Sequence, residues 1–272
     1  MIDTEYLVFA TDHHIDMKKE KFPYPKLNLP KEIRNDELFN VLDVYLDSIK
    51  EFIYTDIDLK HDPKDSNHKY AWVLKVVSAN LIRSIYIRND VVEAINTRNI
   101  TALFLGLKAW FEIVGVLAAI LDILEKNLDN EEFSETFICY ALGNKGKGKL
   151  RVGEIEGKSV MAMIEKADKY DQKISKRVGK ESKTKTFFTD FYDVASNPSH
   201  PSFEAYELVG GLVEGGVWKA KEPGEVRDLI VEYLPVYGGL LAGPRYIFSI
   251  CREIFEGREE YFGQIKAKIF FD

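Results

Sequence analysis

The chain lacks several features that would point to a function at once. It has two cysteines in 272 residues, Cys139 and Cys251, each set in an apolar helical pattern. A disulfide framework or a thiolate zinc site needs more cysteines at closer spacing, so buried free thiols in a reducing compartment are expected. The adjacent pair His13-His14 has no ligand partner at metal-binding spacing nearby, and adjacent histidines point in different directions on a helix or strand. No metal and no cofactor are expected. The glycine-rich run Gly143-Asn144-Lys145-Gly146-Lys147-Gly148-Lys149 lacks the Gly-Lys-Ser/Thr ending of a phosphate-binding loop. It reads as a flexible surface loop whose Lys145, Lys147 and Lys149 can still touch phosphates. MIDTEYLVFATDHHID at the start has neither the basic region nor the apolar run of a secretory signal, which makes a cytoplasmic location the expectation. The longest apolar stretch, Ile100 to Leu124, is interrupted by Lys108, Glu112 and Asp122. Those charges would be costly in hydrocarbon, so the stretch is expected to be the central helix of a bundle, with no membrane involved.

An apolar fraction of 46% over this length provides for a substantial core. The net charge of −7 argues against a general nucleic-acid binder, but it is unevenly spread. Residues 145–185, which include Arg151, hold 13 Lys/Arg and 6 Asp/Glu, so this segment is +7 and the remainder −14. Such asymmetry fits a phosphate-facing surface or a solvated helix face with its loops.

The hydrophobic pattern is helical nearly throughout. Residues 1–31 are irregular, broken by Pro23, Pro25 and Pro30. Periodic stripes predict helices over about 31–54, 70–96, 100–126 and 131–142, and another beginning near Ser159. A short extended piece is expected at 150–156, and a basic spacer over 171–185. Glycines at 210, 211, 215 and 216 predict a small hairpin or irregular lobe near 207–222. A long helix should follow Pro223-Gly224 and reach about 256, kinked or broken at Gly238-Gly239 and Gly243-Pro244. Residues 257–272 form an amphipathic tail that can dock on its own chain or on a partner. The expectation is an all-α bundle of five to seven helices in one domain, 32–256. Arg83 and Arg88 on the second helix are expected at the surface.

Chemistry concentrates in TFFTDFYDVASNPSHPSFEAY, residues 186–206. Phe187, Phe188, Phe191, Val194 and Ala195 form one helical stripe, which ends at Ser196-Asn197-Pro198-Ser199-His200-Pro201. The two prolines stop the helix and fix the backbone around one histidine. His200 can cap the next helix, with Ser196 and Asn197 closing the preceding one, or it can carry chemistry. Lys108 and Glu112 lie four apart on one face of the central helix. They can pair with each other or with a neighbouring helix, or line a polar pocket.

Three features occur in one order: Lys108-x3-Glu112 on an apolar helix, a basic linker followed by SVMAMIEKADKY, and Tyr192-x3-Ser196-x3-His200-Pro201. Together they resemble a HEPN-like all-α family of prokaryotic proteins, over about residues 70–206. That resemblance implies a helical bundle, often a homodimer, and for many members a metal-independent ribonuclease of toxin–antitoxin, anti-phage or RNA-processing systems. It implies that His200 works as acid or base on the ribose 2′-hydroxyl, with Lys108, Asn197 and Tyr192 completing the catalytic group. Ser196, Ser199 and Glu112 would bind, and Lys145, Lys147, Lys149 and Arg151 would hold the RNA backbone. The implied partners are RNA or a nucleotide, a second copy of the chain, and an antitoxin or other protein. The pattern departs from the family where its arginine should precede the histidine: Asp193, Val194 and Ala195 stand there. A non-catalytic HEPN-like module for dimerisation, nucleotide binding or partner binding is the alternative.

Overall fold

A computed structural model describes residues 43–60, 66–142, 151–152, 155–179, 184–200, 203–213, 216–237 and 243–269. Residues 43–48 are helical (α1) and tighten into a 3-10 turn, Ile49–Phe52. The long helices α2 (Ser66–Asn96) and α3 (Ile100–Glu125) follow, then α4 (Asn130–Leu142), α5 (Val160–Arg177) and α6 (Phe187–Ser196). The remaining helices are α7 (Phe203–Val209), α8 (Pro223–Tyr237), α9 (Gly243–Phe255) and α10 (Glu259–Gly263). Strands are short and paired in twos: β1 (Tyr54–Thr55) with β6 (Lys268–Ile269), β2 (Arg151–Val152) with β3 (Ile155–Glu156), and β4 (Gly210–Val213) with β5 (Val217–Ala220), all antiparallel. The fold is thus all-α with a hairpin in the 207–222 lobe.

The architecture follows from α3. Seventeen of its 26 residues are buried, on every side of the helix, so it needs neighbours all round. It packs against α2, α4, α5, α6, α8 and α9. Among the described residues it is the one helix long and apolar enough to cross a membrane, and 72% of its most apolar window is buried inside the protein. Two glycines let neighbours approach closely. A Cβ at Gly115 would lie 3.0 Å from the Met163 carbonyl carbon of α5, and one at Gly106 would lie 2.5 Å from Val91 Cγ2 of α2. Asn99 begins α3 by accepting the Ala102 amide at 3.0 Å, which satisfies one orphan donor of the first turn.

Several expectations change. The basic spacer is helical as far as Arg177, because its polar residues have partners across the packed face. Tyr246 donates to Asp171 Oδ1 at 2.6 Å, and Arg177 pairs with Glu253 at 2.7 Å. Arg88 is buried, not superficial: its side chain is 4% exposed and grips Asp43 through Nε and Nη2 at 2.9 and 3.0 Å. Such a fork-on-carboxylate pair is how a guanidinium tolerates burial. The C-terminal region holds two described helices, α8 and α9; Gly238-Gly239, where a kink or break was expected, lies outside the described residues. Together with the short α7 and α10, this raises the helix count among the described residues above five to seven. Cys251 is fully buried and its thiol is pushed up by burial, whereas Cys139 is only partly covered; both are free. The tail docks on its own chain. Phe262 lies 4.5 Å from Phe255 and 5.4 Å from Tyr70 between ring centroids, and β6 closes on β1.

Candidate functional site

The site is built at the far end of α6, so what holds α6 comes first. Thr186, at its N-cap, makes no side-chain capping bond. Asp168 of α5 does that work from across the interface. Its carboxylate accepts from the Phe188 amide (2.6 Å), the Thr189 amide (3.3 Å) and the Thr189 hydroxyl (2.6 Å). Burial pushes the Asp168 carboxyl above its ordinary range, against those hydrogen bonds, while the α6 N-terminus favours its charged form. Aromatic packing fixes the helix's rotation: Phe188 meets Phe111 edge-on at 5.8 Å and Tyr246 at 4.7 Å, and Phe191 stacks on Phe111 at 6.4 Å.

Pinned in this way, α6 delivers Tyr192 and Ser196 to the side of α3 and ends in a 3-10 turn, Asn197–Ser199. The turn closes locally. Ser199 Oγ donates to the Ser196 carbonyl at 2.7 Å, and the His200 amide donates to the Asn197 carbonyl at 3.2 Å. Ser199 is therefore a turn-closing residue. Asn197 supplies the C-cap of α6 and is exposed. His200 leaves in an extended conformation (φ −114°, ψ 160°), and its ring meets α3 instead of capping a helix.

Lys108 Nζ lies 2.9 Å from His200 Nε2, joining residues 92 apart in sequence. An ammonium can only donate, so Nε2 is the acceptor and the imidazole carries its proton on Nδ1. Among the described residues Lys108 has no carboxylate partner; its other neighbour is the Tyr192 ring, 5.8 Å from the ammonium. Glu112, one turn along, turns away from Lys108. It receives the Tyr192 hydroxyl at 3.4 Å and lies 3.7 Å from Arg83 Nη2 of α2. Of the alternatives open for Lys108 and Glu112, contact with neighbouring helices holds, and the two do not pair with each other. Burial first, and the neighbouring Glu112 carboxylate second, push the Tyr192 hydroxyl up to about 12, while a hydrogen bond with Ser196 opposes this. Tyr192 therefore keeps its proton at neutral pH.

Lys108, His200, Tyr192, Ser196 and Glu112 come together as a group. Lys145, Lys147 and Lys149 lie outside the described residues. Arg151 opens β2, away from this cluster in the element order. Part of the basic segment is neutralised: Lys166 pairs with Asp122 at 2.8 Å, Lys173 with Glu125, and Arg177 with Glu253. Two participants were missed. Arg83 carried no signal, because its partner is on another helix. Asp168 did carry one: it falls four residues after Ile164, on the apolar face of α5, where a charge must have a buried partner. Among the described residues no group of three or more His, Cys, Asp or Glu could hold a metal ion.

Chemically the cluster pairs an imidazole nitrogen with an ammonium that has no carboxylate partner among the described residues. An anion arriving here would draw Lys108 off Nε2 and leave that nitrogen able to accept a proton. Comparison with known proteins gives no match among family models, curated proteins or solved structures.

Proposed function

We propose that the protein is an RNA-directed, HEPN-like, metal-independent endoribonuclease of a prokaryotic defence or toxin system. The observation that carries this reading is the 2.9 Å contact between Lys108 Nζ and His200 Nε2 in an accessible cluster where, among the described residues, no carboxylate pairs with the lysine. In the proposed reaction a phosphodiester takes Lys108 as its counter-ion. His200 Nε2 then accepts the proton of the ribose 2′-hydroxyl, whose oxygen attacks phosphorus to give a 2′,3′-cyclic phosphate. The departing 5′-oxygen takes its proton from solvent at this open site. Lys108 neutralises charge growing on the non-bridging oxygens. Glu112 and Tyr192 position the lysine side of the site, and Arg83 offers the guanidinium that residues 193–195 lack. Asn197, three residues before His200, would supply a further polar contact to the phosphate. A cytoplasmic setting and a homodimer belong to the same reading, as does control by a partner or antitoxin protein.

A non-catalytic HEPN-like module is the second reading. It is favoured by the absence of an arginine next to His200 and by exposed apolar side chains on the same helices, Tyr86 on α2, Leu105 on α3 and Val194 on α6. Such residues suit docking of a second copy or a partner. RNA cleavage in the presence of chelator separates the two. Cleavage that survives chelator and disappears in a stably folded His200→Ala variant supports the nuclease. Equal cleavage by both removes His200 from the chemistry, and no cleavage by the wild type favours the module.

A further inference from the structure

A second polar concavity lies on the same face of α3, at the helix N-terminus. The turn between α2 and α3, the end of α7, the residue after β5 and the first turn of α8 enclose a cleft of about 430 Å³. That volume falls within the range of small-ligand sites. Arg98, Lys221 and Arg227 line it, with no acidic residue among the described lining residues. Arg98 is held from outside by Asp228, Nη1 to Oδ1 2.9 Å, an exposed pair of little strength. Lys221 donates to the Glu207 carbonyl at 2.6 Å, which leaves two ammonium protons. Arg227 is exposed and has no ion-pair partner among the described residues. The helix end itself offers little, because Asn99 already caps it. Three cationic residues lining one concavity, with no acidic residue among its described lining residues, fit a phosphate.

Position decides which phosphate. Thr101 of the cleft lining, Leu105, Lys108 and Glu112 fall at i, i+4, i+7 and i+11, one continuous stripe of α3. Seven residues of helix separate Thr101 from Lys108, roughly 10 Å. On the opposite side α7 bridges the same interval, starting three residues after His200 and ending at Val209 in the cleft wall. We propose that the cleft is a phosphodiester-binding subsite for the RNA strand whose reacting phosphate sits at His200. It would hold the backbone roughly three nucleotides away, at ~3.4 Å per stacked nucleotide. This inference rests on the ribonuclease reading of the Lys108–His200 cluster.

The test uses the full chain and fluorescent 2′-O-methyl oligoribonucleotides, which cannot be cleaved, in anisotropy titrations over a range of salt. Arg227→Glu should weaken octanucleotide binding about tenfold or more and lower the log–log salt slope by about one. Dinucleotide binding should be unchanged, because a dinucleotide at the His200 cluster does not reach the cleft. Arg227→Lys should recover most of the affinity, and an unchanged melting temperature for both variants excludes misfolding. Octanucleotide binding by Arg227→Glu equal to wild type would overturn the subsite. So would a loss confined to inorganic phosphate or a mononucleotide, which would make the cleft a site for free phosphate compounds. Cleavage of the matching unmodified RNA is scored separately. Arg227-dependent binding without any His200-dependent cleavage would sink the nuclease reading and leave the binding cleft standing.

Discussion

Two of the charged interruptions of α3, Lys108 and Asp122, are treated in opposite ways. At Asp122 the charge is closed off: Lys166 and Lys126 approach at 2.8 and 3.0 Å, and Lys173 covers Glu125 nearby. Burial alone would raise the Asp122 carboxyl, but the two lysines outweigh it and hold it below its ordinary range. At Lys108 the charge is left open. Its close partner is the His200 imidazole, and the carboxylate one turn away is occupied by other helices. Both interruptions sit on the same helix and each is a single charge in an apolar stretch, so hydrophobic patterning does not tell which one is neutralised. The difference lies in whether the neighbouring helix presents a counter-charge. A satisfied ion pair stabilises the fold and has little left for a ligand, whereas an unsatisfied cation favours binding an anion.

Substitutions at the two ends should therefore separate activity from stability. The largest expected effect is at Lys108. Lys108→Ala should lower RNA cleavage by about 10²–10³-fold while shifting unfolding free energy by less than about 1 kcal/mol. Cleavage rates and urea midpoints on one preparation check both halves, and a parallel fall in the two would erase the contrast. Next is Asp168→Ala, which strips three donors of their acceptor and unpins α6. A loss of about 2–3 kcal/mol in urea unfolding is expected, with Asp168→Asn intermediate. A change under about 0.5 kcal/mol would mean that aromatic packing alone places the site.

Smaller effects sharpen the Asp122 end. Asp122→Asn should cost about 1 kcal/mol at neutral pH and leave cleavage unchanged. Because the folded-state pKa is lowered, this contribution is complete above the ordinary carboxylate range and is lost as pH falls through the folded value. Wild type and variant should thus converge in stability on acidification, and curves that stay parallel would refute the assignment. The smallest effect is at Tyr192. Tyr192→Phe should cost about 0.5–1 kcal/mol at neutral pH and remove one late-ionising phenol from the alkaline absorbance titration. The hydroxyl is raised to about 12, so the unfolded chain ionises first and the contribution disappears as pH rises from the ordinary tyrosine range to that value.

How much of this was legible varies with how local each signal is. The central position of α3 could be read directly, because a helix apolar on nearly all sides has to be surrounded. The stop at Asn197-Pro198 was legible for the same local reason: proline acts on its own backbone. The approach of Lys108 to His200 was suggested by motif order and not by periodicity, since nothing local couples residues 92 apart. Arg83 and the pairing of Arg88 with Asp43 were illegible, because the partner of each lies on another element and an arginine on a helix looks the same exposed or paired. The continuation of α5 to Arg177 was missed because charge density was taken for a spacer. Its cations are instead matched by carboxylates on α3 and α9, and those matches exist only after packing.

The pairing of β1 with β6 joins Tyr54–Thr55 to Lys268–Ile269, and the docked Phe262 lies against Tyr70 and Phe255. During translation the ribosome makes more than 200 residues between these two strands. Throughout that interval the surface of α2 beneath α10 stays uncovered. Closure is therefore a late, long-range event, slow in the way that distant contacts are slow. A nascent chain would acquire its finished core only after α10 and β6 had emerged, which delays the assembled protein relative to its own synthesis.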